Sequence, residues 1–307
     1  MSGPRFALLG AAGFVAPRHL RAIRDVGGEL VAVCDPHDSV GIIDSFAPTA
    51  AFFTEVERFD RHLEKLRQAG KGVDYISICT PNYLHDAHMR LALRLGAEPI
   101  VEKPAVLSAH NAEQVLHLAA ERGLRGLNVW PILQARLHPQ AQAFVARMAE
   151  PGHARHVQIT YVVRRGTWYH HSWKGDLARS GGIHLNLGVH LYDLLAMAGC
   201  RPGDTAEITL GVDPHGPGAR RDFVVIEGWR SDGYQITEGF EDLHTQAYRR
   251  ILAGEAPTLS DALRGLRLAQ SVADSVGVVR LEAGPDGAWL PVGQKSTGSL
   301  DAGESER

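Results

Sequence analysis

The first 130 residues alternate short apolar runs with amphipathic helical patterns, and this alternation restricts the possible folds more than any other feature. Bounded apolar runs rich in β-branched residues lie at 5–10, 30–35, 74–80, 99–104 and 126–131. Apolar residues at helical spacing lie at 17–27, 84–96 and 108–123, and each of these segments ends in glycine. Because helical crossovers join parallel strands, the pattern predicts a doubly wound α/β domain.

Beyond about residue 150 the runs become longer and partly alternate apolar with polar residues. Such runs lie at 154–166, 206–213, 221–233 and 234–240, without crossover helices between them, as expected of an antiparallel sheet. Two segments, 180–198 and 259–279, are instead helical in pattern, and the end of the chain is too polar and glycine-rich to pack. We therefore predict domains at 1–130 and 131–290, the second built on a mainly antiparallel sheet, and a flexible tail at 291–307.

Composition excludes several classes of function. The 307 residues carry a net charge of -3, which gives no electrostatic reason to bind nucleic acid or an anionic membrane. The chain has no apolar run of about 18 residues and its start lacks the features of a secretory signal, so we expect a cytoplasmic protein. Cys34, Cys79 and Cys200 are too scattered for a disulfide framework or a metal site, and no metal is expected.

The turn after the first apolar run resembles a dinucleotide-binding turn, although it is not a strict G-x-G-x-x-G. Gly10 can form the tight turn, Gly13 lets a pyrophosphate approach the backbone, and Ala16 permits close packing of helix and strand. Asp35 ends the second strand 22 residues after Gly13, where a carboxylate accepts ribose hydroxyls and repels a 2′-phosphate. The alternative is an ordinary strand-to-helix turn. We predict a Rossmann domain that prefers NAD to NADP, with cofactor contacts at Gly10, Ala12, Gly13, Phe14, Val15 and Asp35.

Two further motifs carry a resemblance to a known family. Thr80-Pro81-Asn82 is followed by His85, and Glu102-Lys103-Pro104 follows the next strand. In this order the motifs resemble those of the Gfo/Idh/MocA oxidoreductases, which act on sugars and cyclitols. The resemblance implies a catalytic Lys103, a Pro104 that is often cis, and a second domain for substrate binding and oligomerisation. It also implies cofactor contacts from Thr80, Pro81, Asn82, His85, Glu102, Lys103 and Gln134. Whether His85 reacts or caps a loop stays open.

The segment SGGIHLNLGVHLYD, 180–193, places an amide and an imidazole four residues apart, on one face of a helix. By the same resemblance, Asn186 and His190 complete a catalytic trio with Lys103. Many family members have Asp at the position of Asn186. Because an amide takes no proton near neutral pH, we expect Asn186 to orient the substrate, His190 to act as the base and Lys103 to stabilise the alkoxide. Gly181 and Gly182 either bind an anion or form a plain helix-entry turn.

Residues 163–193 show a closer resemblance, to the UDP-N-acetylglucosaminuronic acid 3-dehydrogenases within this family. It implies a UDP-linked amino-uronic sugar as substrate, with 2-oxoglutarate as a candidate hydride acceptor, and a homo-oligomer, either a dimer or a tetramer. Of the neighbouring Arg164 and Arg165, which alternate along a strand, we favour Arg165 as the ligand contact. The expected substrate contacts are Lys103, Arg136, Arg165, Trp168, Tyr169, Ser172, Trp173, Lys174, Asn186 and His190. Another sugar or cyclitol dehydrogenase and a non-catalytic dinucleotide sensor are the alternatives.

Overall fold

Two six-stranded sheets organise the chain. The computed structural model describes residues 3–121, 126–216, 219–240 and 242–292. All but the first two residues of the tail predicted at 291–307 therefore lie outside the described residues. No helix within the described ranges is long and apolar enough to cross a bilayer.

The first sheet is parallel throughout and contains the five predicted strands. Its strands are β1 (Arg5–Leu9), β2 (Glu29–Cys34), β3 (Ala51–Phe53), β4 (Tyr75–Ile78), β5 (Glu98–Val101) and β6 (Trp130–Pro131), in the order β3-β2-β1-β4-β5-β6. Its helices are α1 (Ala16–Asp25), α2 (Val56–Gln68), α3 (His85–Arg94) and α4 (Ala109–Glu121). The strand order reverses between β1 and β4, and in open α/β sheets ligands bind at this switch point. The doubly wound fold is confirmed.

The β3 strand and the α2 helix are not among the elements predicted from the sequence. The β3 strand has three residues at the sheet edge, and Phe52 is 37% exposed, so the apolar run that marks it is very short. In α2, Phe59 and Leu63 lie four residues apart and are buried, but charged residues surround them. A short edge strand and a mostly polar helix give weak periodic signals.

The second sheet is mainly antiparallel, as predicted. Its strands are β7 (His156–Val163), β8 (Thr205–Val212), β9 (Arg220–Glu227), β10 (Arg230–Gln235), β11 (Val278–Ala283) and β12 (Trp289–Pro291), in the order β10-β9-β7-β8-β11-β12. Only β7 and β8 pair in parallel. The helices of this half are α5 (Pro139–Ala149), α6 (Trp168–His171), α7 (Leu177–Ser180), α8 (Gly182–Asn186), α9 (Val189–Ala198), α10 (Leu243–Leu252) and α11 (Leu259–Ser271).

Several boundaries predicted in this half are wrong. Helices α6 to α9 form a crossover between β7 and β8, which is why these two strands are parallel. The run 221–233 is a hairpin that turns at 228–229, and only the first two residues of 234–240 are strand. The helical segment predicted at 259–279 ends at Ser271, and β11 begins at Val278. Apolar residues at the end of a helical pattern can equally begin a strand.

The helix predicted at 180–198 is broken in two. Helix α8 ends at Asn186 and α9 begins at Val189. At Gly188 a Cβ would lie 2.7 Å from the His184 carbonyl oxygen and 2.7 Å from Leu210 Cδ1 on β8. Leu187 and Gly188 keep right-handed helical dihedral angles, so α8 passes into α9 without a long loop.

Candidate active site

The turn between β1 and α1 packs closely against the end of β4. Gly10 has a φ of +89°, and a Cβ there would lie 2.7 Å from the Cys79 carbonyl carbon. At Gly13 the nearest atom to a Cβ would be the Gly10 oxygen, at 3.2 Å. Phe14 follows with 83% of its surface exposed, and Val15 is the N-cap of α1. Gly10 is thus required both by its backbone conformation and by the available space.

Asp35 fastens this turn to the end of β2. Its side chain is buried, and its two oxygens accept hydrogen bonds of 2.8 Å from the backbone N–H groups of Ala12 and His37. Each carboxylate oxygen has a second lone pair. Asp35 can therefore hold the turn and still accept a ribose hydroxyl.

His85 joins the two loops that carry the recognised motifs. Its buried ring lies between two carbonyl oxygens, with Nδ1 2.8 Å from that of Pro104 and Nε2 2.8 Å from that of Thr80. The Lys103–Pro104 peptide bond is cis. Neither ring nitrogen of His85 is free, so the geometry favours loop capping over reaction. On the other side of the loop, the Thr80 hydroxyl lies 3.0 Å from Nδ1 of His88, which the sequence analysis does not single out.

The structure brings the predicted trio together. Lys103 follows β5, Asn186 ends α8, and His190 lies in the first turn of α9. The Lys103 ammonium donates a 2.7 Å hydrogen bond to the backbone carbonyl of Asn186, which fixes the amine beside the junction of α8 and α9. His190 is 8% exposed, and its Nδ1 has no hydrogen-bond partner among the described residues.

The side chain of Asn186 is held at both ends. Its amide nitrogen donates to the Tyr169 hydroxyl at 3.1 Å, and its oxygen accepts from the Asn82 amide at 3.4 Å. The Asn82 amide also donates to the Ser180 carbonyl at 2.9 Å. Pro81, which precedes Asn82, caps the single helical turn 82–84. An amide held in this way can orient a substrate group but cannot transfer a proton.

Burial sets the protonation states of the two ionisable groups in the trio. It lowers the pKa of Lys103 to about 8, against the opposing effect of Glu102. Burial, helped by the charge of Lys103, lowers the pKa of His190 well below 6.5. At neutral pH the lysine is therefore mostly ammonium and the imidazole is neutral. This combination suits an electrostatic stabiliser next to a proton acceptor.

Glu102 is a buried carboxylate that two histidines hold in place. Both histidines contact the same oxygen of Glu102, Oε1. Nε2 of His19 on α1 lies 3.0 Å from it, and Nε2 of His244 on α10 also lies 3.0 Å from it. Nδ1 of His19 lies 2.7 Å from the Tyr248 hydroxyl. Burial raises the pKa of Glu102, but the two histidine contacts outweigh it and keep that pKa well below its usual range. Neither histidine is predicted from the sequence, because the two are 225 residues apart and no motif links them.

Gln134 and Arg136 lie in the single helical turn 134–137 after β6. Gln134 is buried, and its side-chain oxygen has no hydrogen-bond partner among the described residues. Arg136 donates to both oxygens of Asp193, at 2.8 and 2.6 Å, and to the Asp261 carbonyl. Its guanidinium is thus already paired. In the structure Arg136 holds α9 through Asp193, and its contact with a substrate anion stays a prediction.

The segment after β7 contains the expected aromatic contacts. Tyr169 is buried, whereas Trp168 is 51% exposed. The Lys174 ammonium lies 5.3 Å from the centroid of the Trp168 ring and 5.5 Å from that of Trp173. Ser172 donates to the Tyr169 carbonyl and accepts from the Lys174 backbone N–H, so it fixes the turn between them. The segment presents a cation and aromatic rings together.

Arg221 on β9 is a candidate that the sequence analysis misses. After burial and Glu102, the largest influences on the pKa of Lys103 are the charges of Arg221, Arg165 and Lys174. Arg221 alternates with Phe223, which is fully buried, so both occupy the inward-facing row of the strand. A cation in that row is the signal that would have identified it.

The paired glycines before α8 are required by the turn itself. Gly181 and Gly182 have φ values of +77° and +72°. A Cβ at Gly181 would lie 2.7 Å from Leu185 Cδ1, and one at Gly182 would lie 2.8 Å from Leu177 Cδ1. The N–H of Gly182 donates to the Ser180 hydroxyl at 3.1 Å. These contacts favour a helix-entry turn over an anion site.

Known proteins resemble the chain over most of its length. Residues 4–129 match the GFO_IDH_MocA model, an oxidoreductase family with an NAD-binding Rossmann fold. The WlbA (WbpB) dehydrogenase from Thermus thermophilus, solved with NAD and UDP-GlcNAcA, is 39% identical with a TM-score of 0.80, covering 89% of this chain and 95% of that one. A structure of this dehydrogenase with NAD and alpha-ketoglutarate is 38% identical with a TM-score of 0.80, covering 93% and 98%. A 1,5-anhydro-D-fructose reductase from Ensifer adhaerens is 26% identical over 196 residues, 62% of this chain, and the chain spans 55% of its length.

The doubly wound parallel sheet, together with the match to this oxidoreductase family, makes the chain an oxidoreductase that uses a nicotinamide cofactor. That cofactor is NAD. With 39% identity over nearly all of its length to a solved dehydrogenase, the chain belongs to the Gfo/Idh/MocA oxidoreductase family. The family and fold class predicted from the sequence are confirmed.

Proposed function

We propose that the protein oxidises the C3 hydroxyl of UDP-N-acetyl-2-amino-2-deoxyglucuronate to the 3-keto sugar. The observation that carries this proposal is the trio Lys103, Asn186 and His190 with further cations around it. Arginine and lysine side chains suit a substrate with a carboxylate and a diphosphate. The likeness to a dehydrogenase solved with NAD and UDP-GlcNAcA supports the same substrate.

In the proposed reaction each member of the trio has one role. Neutral His190 accepts the proton of the sugar hydroxyl, and the Lys103 ammonium stabilises the negative charge that develops on the oxygen. The Asn186 amide orients the hydroxyl. When bound, NAD supplies the hydride acceptor, and the turn after β1 leads into the N-terminus of α1, where a pyrophosphate would be held.

We further propose that NAD is preferred to NADP, because the buried Asp35 carboxylate lies where the ribose of a dinucleotide binds. We expect Asp35→Ser to relax this preference, measured by calorimetric titration with both cofactors. The change also removes the contact with Ala12, so thermal unfolding of the variant provides the control. Equal binding of NADP by the unaltered protein would contradict the role of Asp35.

The likeness to a structure with alpha-ketoglutarate supports 2-oxoglutarate as the second substrate, which would accept the hydride and regenerate NAD. The proposed product is an intermediate for the amino-uronic sugars of bacterial surface polysaccharide, such as O-antigen. We also propose that residues 131–290 bind the substrate and form a homo-oligomer, a dimer or a tetramer, and that residues 1–130 bind the cofactor.

The direct test is to incubate the protein with NAD, 2-oxoglutarate and the uronate sugar nucleotide, and to follow the product by NMR while an aminotransferase traps the 3-keto sugar. We expect oxidation at C3. UDP-N-acetylglucosamine, which has a hydroxymethyl group in place of the carboxylate, should be a poor substrate. Comparable turnover of both sugars, or oxidation at another carbon, would favour a different sugar or cyclitol dehydrogenase.

A further inference from the structure

Arg221 is held rigidly at the edge of the candidate site. Its guanidinium carbon lies 4.7 Å from the ring centroid of Tyr161 and 4.7 Å from that of Phe240, so the group is sandwiched between two aromatic faces. One terminal nitrogen donates to the Tyr161 hydroxyl at 3.0 Å, and the other donates to the Ile236 carbonyl at 3.2 Å. Stacking and two hydrogen bonds together fix the plane of the guanidinium, whose N–H groups form a flat fork.

The fork keeps unused donors. A guanidinium has five N–H groups, and the described residues accept two of those of Arg221. No carboxylate in the described ranges forms an ion pair with it. A half-buried arginine that keeps free donors is suited to bind a carboxylate or a phosphate from outside the protein.

Arg221 also lies near the reacting groups. In addition to burial, its charge lowers the pKa of Lys103 and that of His190. Tyr161, on which it stacks, acts electrostatically on Tyr169, whose hydroxyl accepts the hydrogen bond from Asn186. The guanidinium is therefore within electrostatic range of Lys103 and His190, and it stacks on a ring that acts on the partner of Asn186.

The other cations of the site are less suited to hold a carboxylate in one orientation. Arg136 is already paired with Asp193. Arg165 lies in the segment after β7, and its single hydrogen bond in the described structure goes to the carbonyl of its neighbour Arg164. Lys174 has no planar fork to match the two oxygens of a carboxylate.

We propose that Arg221 binds the uronate carboxylate of the substrate and thereby selects uronate sugars over their neutral counterparts. This proposal rests on the proposed function. It replaces Arg165, favoured by the sequence, with a residue fixed by a strand and two rings. Because an arginine deprived of its anion is costly when buried, the carboxylate should contribute most of the discrimination between the two sugars.

The test measures the first half-reaction alone, as reduction of NAD by each sugar nucleotide without an oxo-acid acceptor. In the unaltered protein we expect UDP-N-acetyl-2-amino-2-deoxyglucuronate to be preferred to UDP-N-acetylglucosamine by about 100-fold or more. Arg221→Gln should reduce this ratio to about 10-fold or less by slowing only the uronate reaction. Arg221→Lys should give an intermediate ratio, because it keeps the charge but loses the fork.

Arg220→Gln is the matched control. Arg220 is the neighbouring residue on the same strand, is exposed and pairs with Asp222, so its loss should leave the ratio unchanged. If Arg221→Gln keeps the full ratio while Arg165→Gln lowers it, the proposal is wrong and Arg165 binds the carboxylate. Equal losses with both sugars would also overturn it, since they indicate a structural role. If the unaltered protein reduces NAD with neither sugar, the proposed function itself fails.

Discussion

At the scale of single residues, the proposed chemistry depends on burial more than on residue type. The family resemblance predicts Lys103, Asn186 and His190 as the trio. A motif does not reveal that His190 is 8% exposed, and this burial moves its pKa away from the ordinary value near 6.5. In the structure burial keeps the imidazole neutral over the physiological range. The residues of a site can be predicted from a motif, whereas their protonation depends on the surrounding packing.

The trio leads to a first prediction about turnover. We expect Lys103→Met and His190→Asn each to lower kcat by at least ~100-fold, the usual scale for losing a positioned acid, base or charge. Asn186→Ala should have a smaller effect, because an orienting amide transfers no proton. NAD affinity, measured by calorimetry, should stay near normal in all three variants. Loss of turnover in Asn186→Ala with normal turnover in His190→Asn would reverse these roles.

The pKa of Lys103 leads to a second prediction, about pH. If the ammonium form is required, kcat/KM falls as pH rises through about 8, the pKa of Lys103. The acid limb should lie well below pH 6.5, because His190 stays neutral down to low pH. Glu102→Gln removes the charge that raises the pKa of Lys103, so the alkaline limb should move to lower pH. A full pH–rate profile checks both limbs.

Glu113→Gln is the control for that profile, because Glu113 is a partly exposed carboxylate paired with Arg267 on the surface. The alkaline limb of the Glu113→Gln profile should coincide with that of the unaltered protein. An alkaline limb that stays in place or moves upward in Glu102→Gln would show that Lys103 is not the group that titrates.

At the scale of elements, two short interruptions position the trio. The glycine turn at 181–182 begins α8, and the break at 187–188 separates α8 from α9. The four-residue spacing of Asn186 and His190 predicts their proximity, and this holds across the break because both intervening residues keep helical angles. At the break, a side chain at position 188 would meet Leu210 of β8, a tertiary constraint that no local pattern contains.

A third prediction concerns the glycine turn. Gly181→Ala places a Cβ in the left-handed region and 2.7 Å from Leu185, so we expect a loss of about 1–2 kcal/mol for the backbone and a further ~1–3 kcal/mol for crowding. Gly70→Ala is the control, since Gly70 has a φ of +70° with no atom within 4 Å of a Cβ. Denaturant unfolding of both variants separates the two costs. Equal losses of unfolding free energy in Gly181→Ala and Gly70→Ala would show that the protein relieves the crowding of the new Cβ against Leu185.

At the scale of the whole molecule, buried polar contacts join the two halves. The contacts of His19 and Glu102 with His244 and Tyr248 connect the first sheet to α10. The sequence predicts both sheets because each depends on local periodicity. It does not predict that α10 packs on α1, because nothing in either helix marks its distant partner.

A fourth prediction concerns acid stability. Burial lowers the pKa of several histidines below that of the unfolded chain, namely His19, His85, His88, His184 and His190. The unfolded chain then binds more protons below pH 6.5, so the free energy of unfolding falls as pH decreases. For His88, with a pKa of about 4, the loss at pH 5 is about 2 kcal/mol. Urea unfolding at pH 7 and pH 5 measures how much free energy of unfolding each protein loses between the two pH values. His88→Gln should lose about 2 kcal/mol less than the unaltered protein, and the exposed His110→Gln should lose as much as the unaltered protein.

The contacts around Glu102 also limit how such a protein can be recombined. A hybrid that keeps the first 130 residues but takes the remainder from a relative would lose His244 unless the relative supplies an equivalent donor. It would also leave His19 without Tyr248, whose hydroxyl lies 2.6 Å from Ser77 in the first sheet. A buried carboxylate deprived of its donors is destabilising. Exchange of halves during evolution would therefore be restricted to relatives whose second half keeps donors equivalent to His244 and Tyr248.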